Sequence, residues 1–221
     1  MKKLINGILE FRKNVLADYK ETFARLALNQ RPDTLFIACS DSRVVPNLFA
    51  STNPGDLFVV RNIGNMIPPC QDIQALGGTG SVAAAIEFSL NILNVSSIVV
   101  CGHSECGAIK ALINGRENIE LVNLRNWLKF GDPLFDQPKT SLIFDEHVNP
   151  QNRLSQRNTI LQMEHLKTYP IVQKFIDEKK VTLHSWWFDI ATADVYAFEE
   201  EFQKFVLIDE TEAPRILAKL D

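Results

Sequence analysis

Two cysteines and one histidine, divided between two short motifs, are the residues of this chain best suited to chemistry. Cys39 begins the motif Cys-Ser-Asp-Ser-Arg, and His103 and Cys106 lie in the motif His-Ser-Glu-Cys. Two thiolates and one imidazole form a ligand set that Zn²⁺ prefers, and three protein ligands leave a fourth coordination position free. The pattern therefore predicts a catalytic zinc site, with one Zn²⁺ per subunit held by Cys39, His103 and Cys106.

A carboxylate and a guanidinium follow the first thiol closely. Asp41 could bind zinc as a fourth ligand and close the site, or accept a hydrogen bond from metal-bound hydroxide and leave it open. Arg43 has the spacing to fork onto the Asp41 carboxylate. Two thiolates cancel the formal charge of Zn²⁺, so the metal should acidify water less than three imidazoles do. We therefore expect Asp41 to direct the hydroxide, while a pair with Arg43 would hold Asp41 off the metal.

Other residues of chemical interest have simpler interpretations. Cys101 lies inside an apolar run and is expected to pack in the core, and Cys70 follows two prolines in a predicted loop. The segment Gly78-Thr79-Gly80-Ser81-Val82-Ala83 superficially matches a dinucleotide fingerprint. No strand precedes it, so close packing at a helix start is the better interpretation.

Apolar runs alternate with helical patterns along the chain. Three continuous apolar runs, at 34–39, 56–61 and 97–101, are typical of strands in a parallel sheet buried on both faces. A late strand at 181–188 follows, and 194–198 could pair back on it as a hairpin. The pattern predicts an α/β fold with about four parallel strands and an antiparallel edge strand, flanked by helices. Ligands bind such sheets at the carboxyl ends of strands, where both motifs lie.

The helical patterns complete this expected arrangement. Apolar residues at helical spacing predict helices over about 3–29, 80–93, 106–114, 117–130 and 152–179, the last interrupted at Tyr169-Pro170. Residues 131–150 contain three prolines and several polar residues, which predicts a loop.

Composition sets limits on function. The 221 residues suit a single α/β domain spanning 1–221, and a formal net charge of −4 provides no basic surface for nucleic acid. No apolar run approaches the roughly 20 residues that span a bilayer, so no membrane role is expected. Four cysteines without a recognisable signal peptide favour a reducing compartment, the cytoplasm.

Three motifs together resemble the β-class carbonic anhydrases, most closely the bacterial members. They are Cys39-Ser40-Asp41-Ser42-Arg43, Arg61-Asn62-Ile63-Gly64-Asn65 and Gly102-His103-Ser104-Glu105-Cys106-Gly107, and Leu183-His184-Ser185-Trp186 is similar to a further family motif. The resemblance implies a lyase, carbonate dehydratase, that hydrates CO₂ reversibly to bicarbonate and a proton by means of zinc-bound hydroxide. It also implies the zinc ligands and the catalytic Asp41–Arg43 dyad already described.

The resemblance further implies a substrate pocket and an oligomer. The side-chain amide of Gln30 would donate to bound substrate, Phe58, Ile63 and Phe88 would line a small apolar pocket, and Gly107 would offer its backbone N–H. The family forms homodimers or homotetramers, in which residues 1–30 would be a helical arm packed on a partner subunit.

Some family members carry a second, non-catalytic bicarbonate pocket built from Trp, Arg and Tyr. The corresponding positions here are Phe36, Arg61 and Phe188, so only the arginine remains. We therefore expect this chain to lack that inhibitory pocket and to favour the open site, with Asp41 paired to Arg43.

Two other functions use the same residues. A related zinc hydrolase could act on carbonyl sulfide or carbon disulfide, because pocket access and not the ligand set decides between these substrates. A non-enzymatic, bicarbonate-responsive protein could hold a structural zinc. Intact Asp41 and Arg43 argue against this second alternative, since a closed structural site needs no such pair.

Overall fold

A six-stranded sheet forms the centre of the computed structural model, which describes residues 1–75, 80–136 and 142–219. The strands are β1 (Thr34–Cys39), β2 (Leu57–Asn62), β3 (Ser97–His103), β4 (Thr182–Phe188), β5 (Val195–Glu199) and β6 (Lys204–Leu207). Their order in the sheet is β2-β1-β3-β4-β5-β6. The first four are parallel, and β5 and β6 are antiparallel to their neighbours.

The parallel part of the sheet and the hairpin partner β5 confirm the predicted fold class. The edge is different, because β6 follows β5 and takes the edge position that the sequence assigned to β5. Four residues are too few for a periodic pattern, so β6 carried no usable sequence signal.

The helices of the described residues flank this sheet. They are α1 (Lys2–Asn14), α2 (Leu16–Leu26), α3 (Pro46–Phe49), α4 (Cys70–Ala75), α5 (Ser81–Asn91), α6 (Gly107–Ile113), α7 (Val122–Leu128), α8 (Pro150–Lys167), α9 (Pro170–Asp177) and α10 (Ala213–Leu217). Short 3₁₀ helices lie at Ile63–Asn65, Arg116–Asn118 and Lys129–Phe135. Within the described ranges, no helix is long and apolar enough to cross a membrane.

Several helix boundaries differ from the prediction. The single helix expected over 3–29 is two helices, because Val15 leaves the helical conformation at φ −121°. The helix expected over 117–130 shortens to α7, and the loop expected from residue 131 begins as a 3₁₀ helix that accommodates Pro133. Cys70, expected in a loop, begins α4.

The glycine-rich segment lies partly outside the described residues, which exclude 76–79. At its described end, Gly80 immediately precedes α5. A Cβ on Gly80 would lie 2.8 Å from the Cδ1 atom of Ile73. This contact agrees with close packing at a helix start.

Parallel pairing brings the two motifs to one edge of the sheet. Cys39 is the last residue of β1, and His103 is the last residue of the adjacent strand β3. Because neighbouring parallel strands end at the same edge, both side chains stand at the crevice where α/β sheets bind ligands.

Helix α8 packs very closely on the strand that carries the histidine. A Cβ at Gly102 of β3 would lie 2.2 Å from the Oγ1 atom of Thr159 and 3.3 Å from the carbonyl oxygen of Ser155. Only glycine permits this approach. The β3–α8 contact therefore sets the distance between the helix and the edge that carries the ligands.

The opposite face of the sheet is covered thinly. A groove of about 970 Å³ lies over it, with Phe36, Trp186, Ala197 and Ile208 among the lining residues and Leu217 of α10 at one side. Helices α1 and α2, which the structure describes completely, contain no buried residue.

Candidate metal centre

Cys39, His103 and Cys106 converge as the sequence predicted. One donor atom from each lies within 4.8 Å of the other two, and all three side chains are buried. Strand β1 ends at Cys39, strand β3 ends at His103, and Cys106 is the residue from which α6 starts. Three separate backbone ends therefore place three metal-binding atoms at one point.

The imidazole of His103 is oriented as a metal ligand. Its Nδ1 atom lies 2.8 Å from the carbonyl oxygen of Ser104, which can only accept, so Nδ1 carries the proton and Nε2 a lone pair. Among the described residues, the buried Nε2 atom has no hydrogen-bond partner. A buried nitrogen without a partner is costly unless something binds it. A metal ion at this point would satisfy it.

The two thiols are poised to bind a cation. Hydrogen bonding to Cys106, together with His103, lowers the pKa of Cys39 to about 4, while the same contact and burial raise the pKa of Cys106. The backbone N–H of Gly64 also donates to the Sγ atom of Cys39 at 3.4 Å. A bound cation would displace the remaining thiol proton, because zinc binds thiolates. The donor set therefore fits Zn²⁺.

Asp41 is held by Arg43, as the open arrangement requires. The Nε and Nη2 atoms of Arg43 donate to Oδ1 and Oδ2 of Asp41 at 2.9 and 2.8 Å, and the Arg43 backbone N–H donates to Oδ1 at 3.0 Å. This fork holds the pKa of the Asp41 carboxyl well below its usual range. Arg43 also donates to the carbonyl oxygen of Glu105 at 3.2 Å, which links the two motifs.

Arg61 has a role that the sequence analysis missed. Its Nε atom donates to the carbonyl oxygen of Cys39 at 3.0 Å, and its Nη2 atom donates to that of Asp41 at 2.6 Å. It therefore holds the backbone on both sides of Ser40. The strand register, which pairs Arg61 with Ala38, could have indicated this proximity.

The five predicted pocket residues are not brought together within one chain. Ile63 and Gly107 lie at the metal centre, next to the Gly64 peptide and Cys106 respectively. Phe58 stacks on Phe88, with ring centroids 5.8 Å apart. Phe58 pairs with Leu35, four residues before the strand position that pairs with Cys39, so it lies roughly 13 Å along the sheet.

Gln30 is also remote from the thiols of its own chain. It precedes β1, at the end of the sheet opposite Cys39, and lines a surface depression with Pro32 and Asn94. Within one chain, Gln30, Phe58 and Phe88 therefore lie away from the thiols, and their part in the substrate pocket stays a prediction. Sequence spacing does not indicate whether such a residue lines the site of its own chain or that of a partner chain.

Phe36 and Phe188, at two of the positions compared with the second bicarbonate pocket, contact other aromatic side chains. Phe188 stacks on Phe49 with ring centroids 4.6 Å apart, and Phe36 meets Trp186 edge-on at 5.9 Å. The donors of Arg61 are directed at backbone carbonyls. The lack of a second bicarbonate pocket stays a prediction.

The remaining thiol and imidazole of interest lie away from the metal centre. Cys101 is fully buried in β3, as expected, and burial raises its pKa. His184 lies in β4 opposite Val99, four residues before the strand end, and its Nε2 atom contacts the hydroxyl of Thr182 at 2.9 Å. Its position provides no direct path for a proton from the thiol site.

Comparisons with known proteins agree with the geometry. A family model described as carbonic anhydrase matches residues 34–195. A carbonic anhydrase of Helicobacter pylori (strain J99) is 34% identical over 214 residues, which cover 95% of this chain and 96% of that protein. The chain therefore belongs to the carbonic anhydrase family, an enzyme family.

Similar solved structures indicate the class of carbonic anhydrase to which the chain belongs. The structure of the β-carbonic anhydrase CcaA matches with a TM-score of 0.81 at 34% identity, covering 95% of this chain and 92% of that one. A structure of tetrameric β-carbonic anhydrases from Sordaria macrospora matches with a TM-score of 0.67 at 27% identity, covering 89% and 95%. Within the family, the chain is a β-carbonic anhydrase.

Proposed function

We propose that this chain catalyses the zinc-dependent, reversible hydration of CO₂ to bicarbonate and a proton. The observation that carries the proposal is the buried Cys39–His103–Cys106 cluster, with its unpartnered imidazole nitrogen, beside a carboxylate held by an arginine. When bound, Zn²⁺ supplies Lewis acidity that makes water a nucleophile near neutral pH.

The chain's own residues orient the reactants. Asp41, kept ionised by Arg43, accepts a hydrogen bond at its carboxylate and so aligns the attacking oxygen. Ile63 and Gly107 border the space in front of the thiols, and a Cβ on Gly107 would meet no atom within 4 Å. The Gly107 side of this space is therefore open.

A second copy of the chain would complete the site. The exposed apolar side chains of α1, Leu4, Ile5, Ile8, Leu9 and Phe11, have nothing to cover them in the described chain. The groove on the thinly covered sheet face offers an apolar floor, with Asp33, Asp56, Glu199, Glu200 and Glu201 outnumbering Lys167 and Lys219 among its lining residues. Helix α1 carries four basic residues, Lys2, Lys3, Arg12 and Lys13, and one acidic residue, Glu10. Its positive charge and its apolar side chains are therefore complementary to the acidic rim and the apolar floor of the groove. We propose that residues 1–30 pack on this groove of a partner.

This pairing would also give the pocket residues that lie far from the thiols of their own chain a role in the partner's site. Gln30, Phe58 and Phe88 cannot reach the thiols of their own chain, so they would line the site of the partner. A homodimer satisfies this requirement, and the tetrameric Sordaria structures show that larger assemblies occur in the family.

Substitutions on the exposed side of α1 test the pairing without disturbing the monomer. Ile5→Glu combined with Leu9→Glu should dissociate the oligomer in sedimentation experiments and lower turnover. Gly7→Glu places the same charge on the opposite side of α1, where a Cβ meets nothing within 4 Å, and should leave assembly intact. A double variant that still sediments as the wild type would contradict the arm's role.

A reducing compartment, the cytoplasm, fits the thiol pair. The Sγ atoms of Cys39 and Cys106 lie within 4.8 Å of each other. Oxidising surroundings would favour a disulfide at the cost of the site. Measuring zinc content after expression in a cytoplasm and in a periplasm tests this proposal, which predicts zinc loss only in the periplasm.

Zinc stoichiometry together with a CO₂ hydration assay across pH tests the central proposal. One zinc per chain and turnover between about pH 7 and 9, near the range to which zinc brings bound water, are expected. Zinc-loaded protein that does not hydrate CO₂ would overturn it. Faster turnover on carbonyl sulfide or carbon disulfide would assign the site to those substrates instead.

A further inference from the structure

Helix α8 presents a polar face to the interior, although a helix packed on a sheet normally buries an apolar one. Ser155 and Asn158 are each 1% exposed, and Thr159 and Gln162 are fully buried. Buried polar side chains need hydrogen-bond partners. Two of these side chains, Ser155 and Asn158, donate to backbone carbonyls of His103 and Gly64, next to the metal-binding groups.

The second ligand motif is held at two points. The Oγ atom of Ser155 donates to the carbonyl oxygen of His103 at 2.7 Å. The Oδ1 atom of Asn152 accepts from the backbone N–H of Glu105 at 2.8 Å. Glu105 lies between His103 and Cys106 and has a φ of +54°, a left-handed conformation that glutamate adopts only when its surroundings favour it.

The first ligand motif is reached through the two peptide groups that flank the Cα atom of Gly64. The Nδ2 atom of Asn158 donates to the carbonyl oxygen of Gly64 at 3.0 Å, and the N–H of Gly64 donates to the Sγ atom of Cys39 at 3.4 Å. Gly64 has a φ of +76°, so its peptide orientation depends on such contacts. Asn158 therefore influences the direction of the hydrogen bond that the Cys39 sulfur accepts.

Gln162 fixes the orientation of the Asn158 amide. Its Nε2 atom donates to Oδ1 of Asn158 at 3.0 Å and to the carbonyl oxygen of Phe130 at 3.2 Å, and its Oε1 atom accepts from the N–H of Ile67 at 2.7 Å. With Oδ1 of Asn158 engaged as an acceptor, Nδ2 faces Gly64. The side-chain amides of Gln162 and Asn158 are thus each held in one orientation, with the Asn158 donor directed at Gly64.

We propose that α8 is a positioning helix for the metal centre, in which Asn152, Ser155 and Asn158 set the geometry of all three ligands through backbone groups. This rests on the proposed zinc site. Contacts beyond the ligands typically alter metal affinity or activity by about tenfold to a hundredfold. Asn152 additionally sets Glu105, whose carbonyl oxygen accepts from Arg43, so it also positions the catalytic pair.

Paired variants separate positioning from simple packing. Asn152→Leu removes the acceptor for Glu105, and Asn152→Asp keeps it. Asn158→Leu removes the donor to Gly64, whereas Thr159→Val, at the next buried position of α8, removes a hydroxyl that bonds to the Ser155 carbonyl of the same helix. Each holoprotein is measured for thermal unfolding, for zinc loss to a chelator, for CO₂ hydration and, with Co²⁺ as probe metal, for visible absorption.

Asn152→Leu and Asn158→Leu are expected to lose zinc to the chelator about tenfold to a hundredfold more readily and to alter the Co²⁺ spectrum. Asn152→Asp should restore the wild-type spectrum, and Thr159→Val should keep it even if it unfolds at a lower temperature. Wild-type spectra and zinc retention in both leucine variants would overturn the proposal. A wild type that hydrates no CO₂ but binds Co²⁺ would reject the proposed function alone, and one that binds no metal would reject both.

Discussion

Replacing Arg43 by methionine tests whether the arginine keeps Asp41 away from the metal. The substitution removes the two guanidinium bonds to the Asp41 carboxylate and keeps the bond from the backbone N–H of residue 43. The Arg43 side chain is 48% exposed, so water weakens the pair. After that discount we take the fork to contribute about 1–3 kcal/mol. Losing it would shift the balance between an Arg-paired and a metal-facing carboxylate by roughly 5- to 150-fold.

Turnover should fall by a comparable factor, because a carboxylate that occupies the fourth coordination position blocks water. Stopped-flow measurement of CO₂ hydration near neutral pH gives kcat/KM, and Co²⁺ absorption reports the ligand set independently. Arg43→Lys keeps the charge but not the fork, so it should retain an intermediate rate. Wild-type kcat/KM in Arg43→Met, with an unchanged Co²⁺ spectrum, would refute this role of the arginine.

Three further predictions concern packing, pH and metal content. Gly102→Ala should destabilise the fold by about 1–3 kcal/mol and lower its unfolding temperature, because the added Cβ meets the Thr159 hydroxyl oxygen. Adding Thr159→Ala should partly restore the unfolding temperature, and no change in that temperature for Gly102→Ala alone would contradict the contact. Burial lowers the pKa of His165, so the folded chain holds this side chain neutral. Below a pH of about 6.5 the unfolded chain binds the proton more readily than the folded one, so the free energy of unfolding falls on acidification. The unfolding free energy should therefore fall more steeply from pH 7 to 5 in the wild type than in His165→Gln, and equal slopes would exclude this effect. Chelation should abolish turnover and lower the unfolding temperature, with recovery by Zn²⁺ and not by Mg²⁺, because thiolates favour the softer ion; recovery with Mg²⁺ would contradict the thiolate site.

The ligand set could be predicted from sequence because its information is local. Cys39 and His103 end apolar runs, and the α/β rule places such ends at one edge of the sheet. The Asp41–Arg43 pair spans only two residues, so their mutual reach follows from short-range geometry. Chemistry that lies within a motif, or at strand ends of one parallel sheet, is therefore open to prediction.

The pocket residues could not be placed, because under the proposed pairing their role would depend on a surface outside the chain. Gln30 and Phe88 satisfy no local rule that says whether they face their own metal centre or that of another copy. The exposed row on α1 has the same limitation, since an amphipathic helix has the same pattern whether it covers its own core or a partner. In both cases the missing information is the identity of the partner surface.

The polar face of α8 was missed for a different reason. Apolar periodicity is the usual sign of a buried helix face, and the positions that α8 buries include Ser155, Asn158 and Gln162. These side chains are satisfied by peptide groups of distant segments, which no pattern within the helix reveals. Side chains that bind one metal from two strand ends and a helix start would need their backbones fixed relative to one another, and apolar contacts without direction cannot fix a peptide plane. Hydrogen bonds can, because they require alignment. In the role that we propose for α8, a polar helix against the sheet lowers hydrophobic stabilisation but would orient the metal-binding side chains, which is advantageous where geometry controls the chemistry.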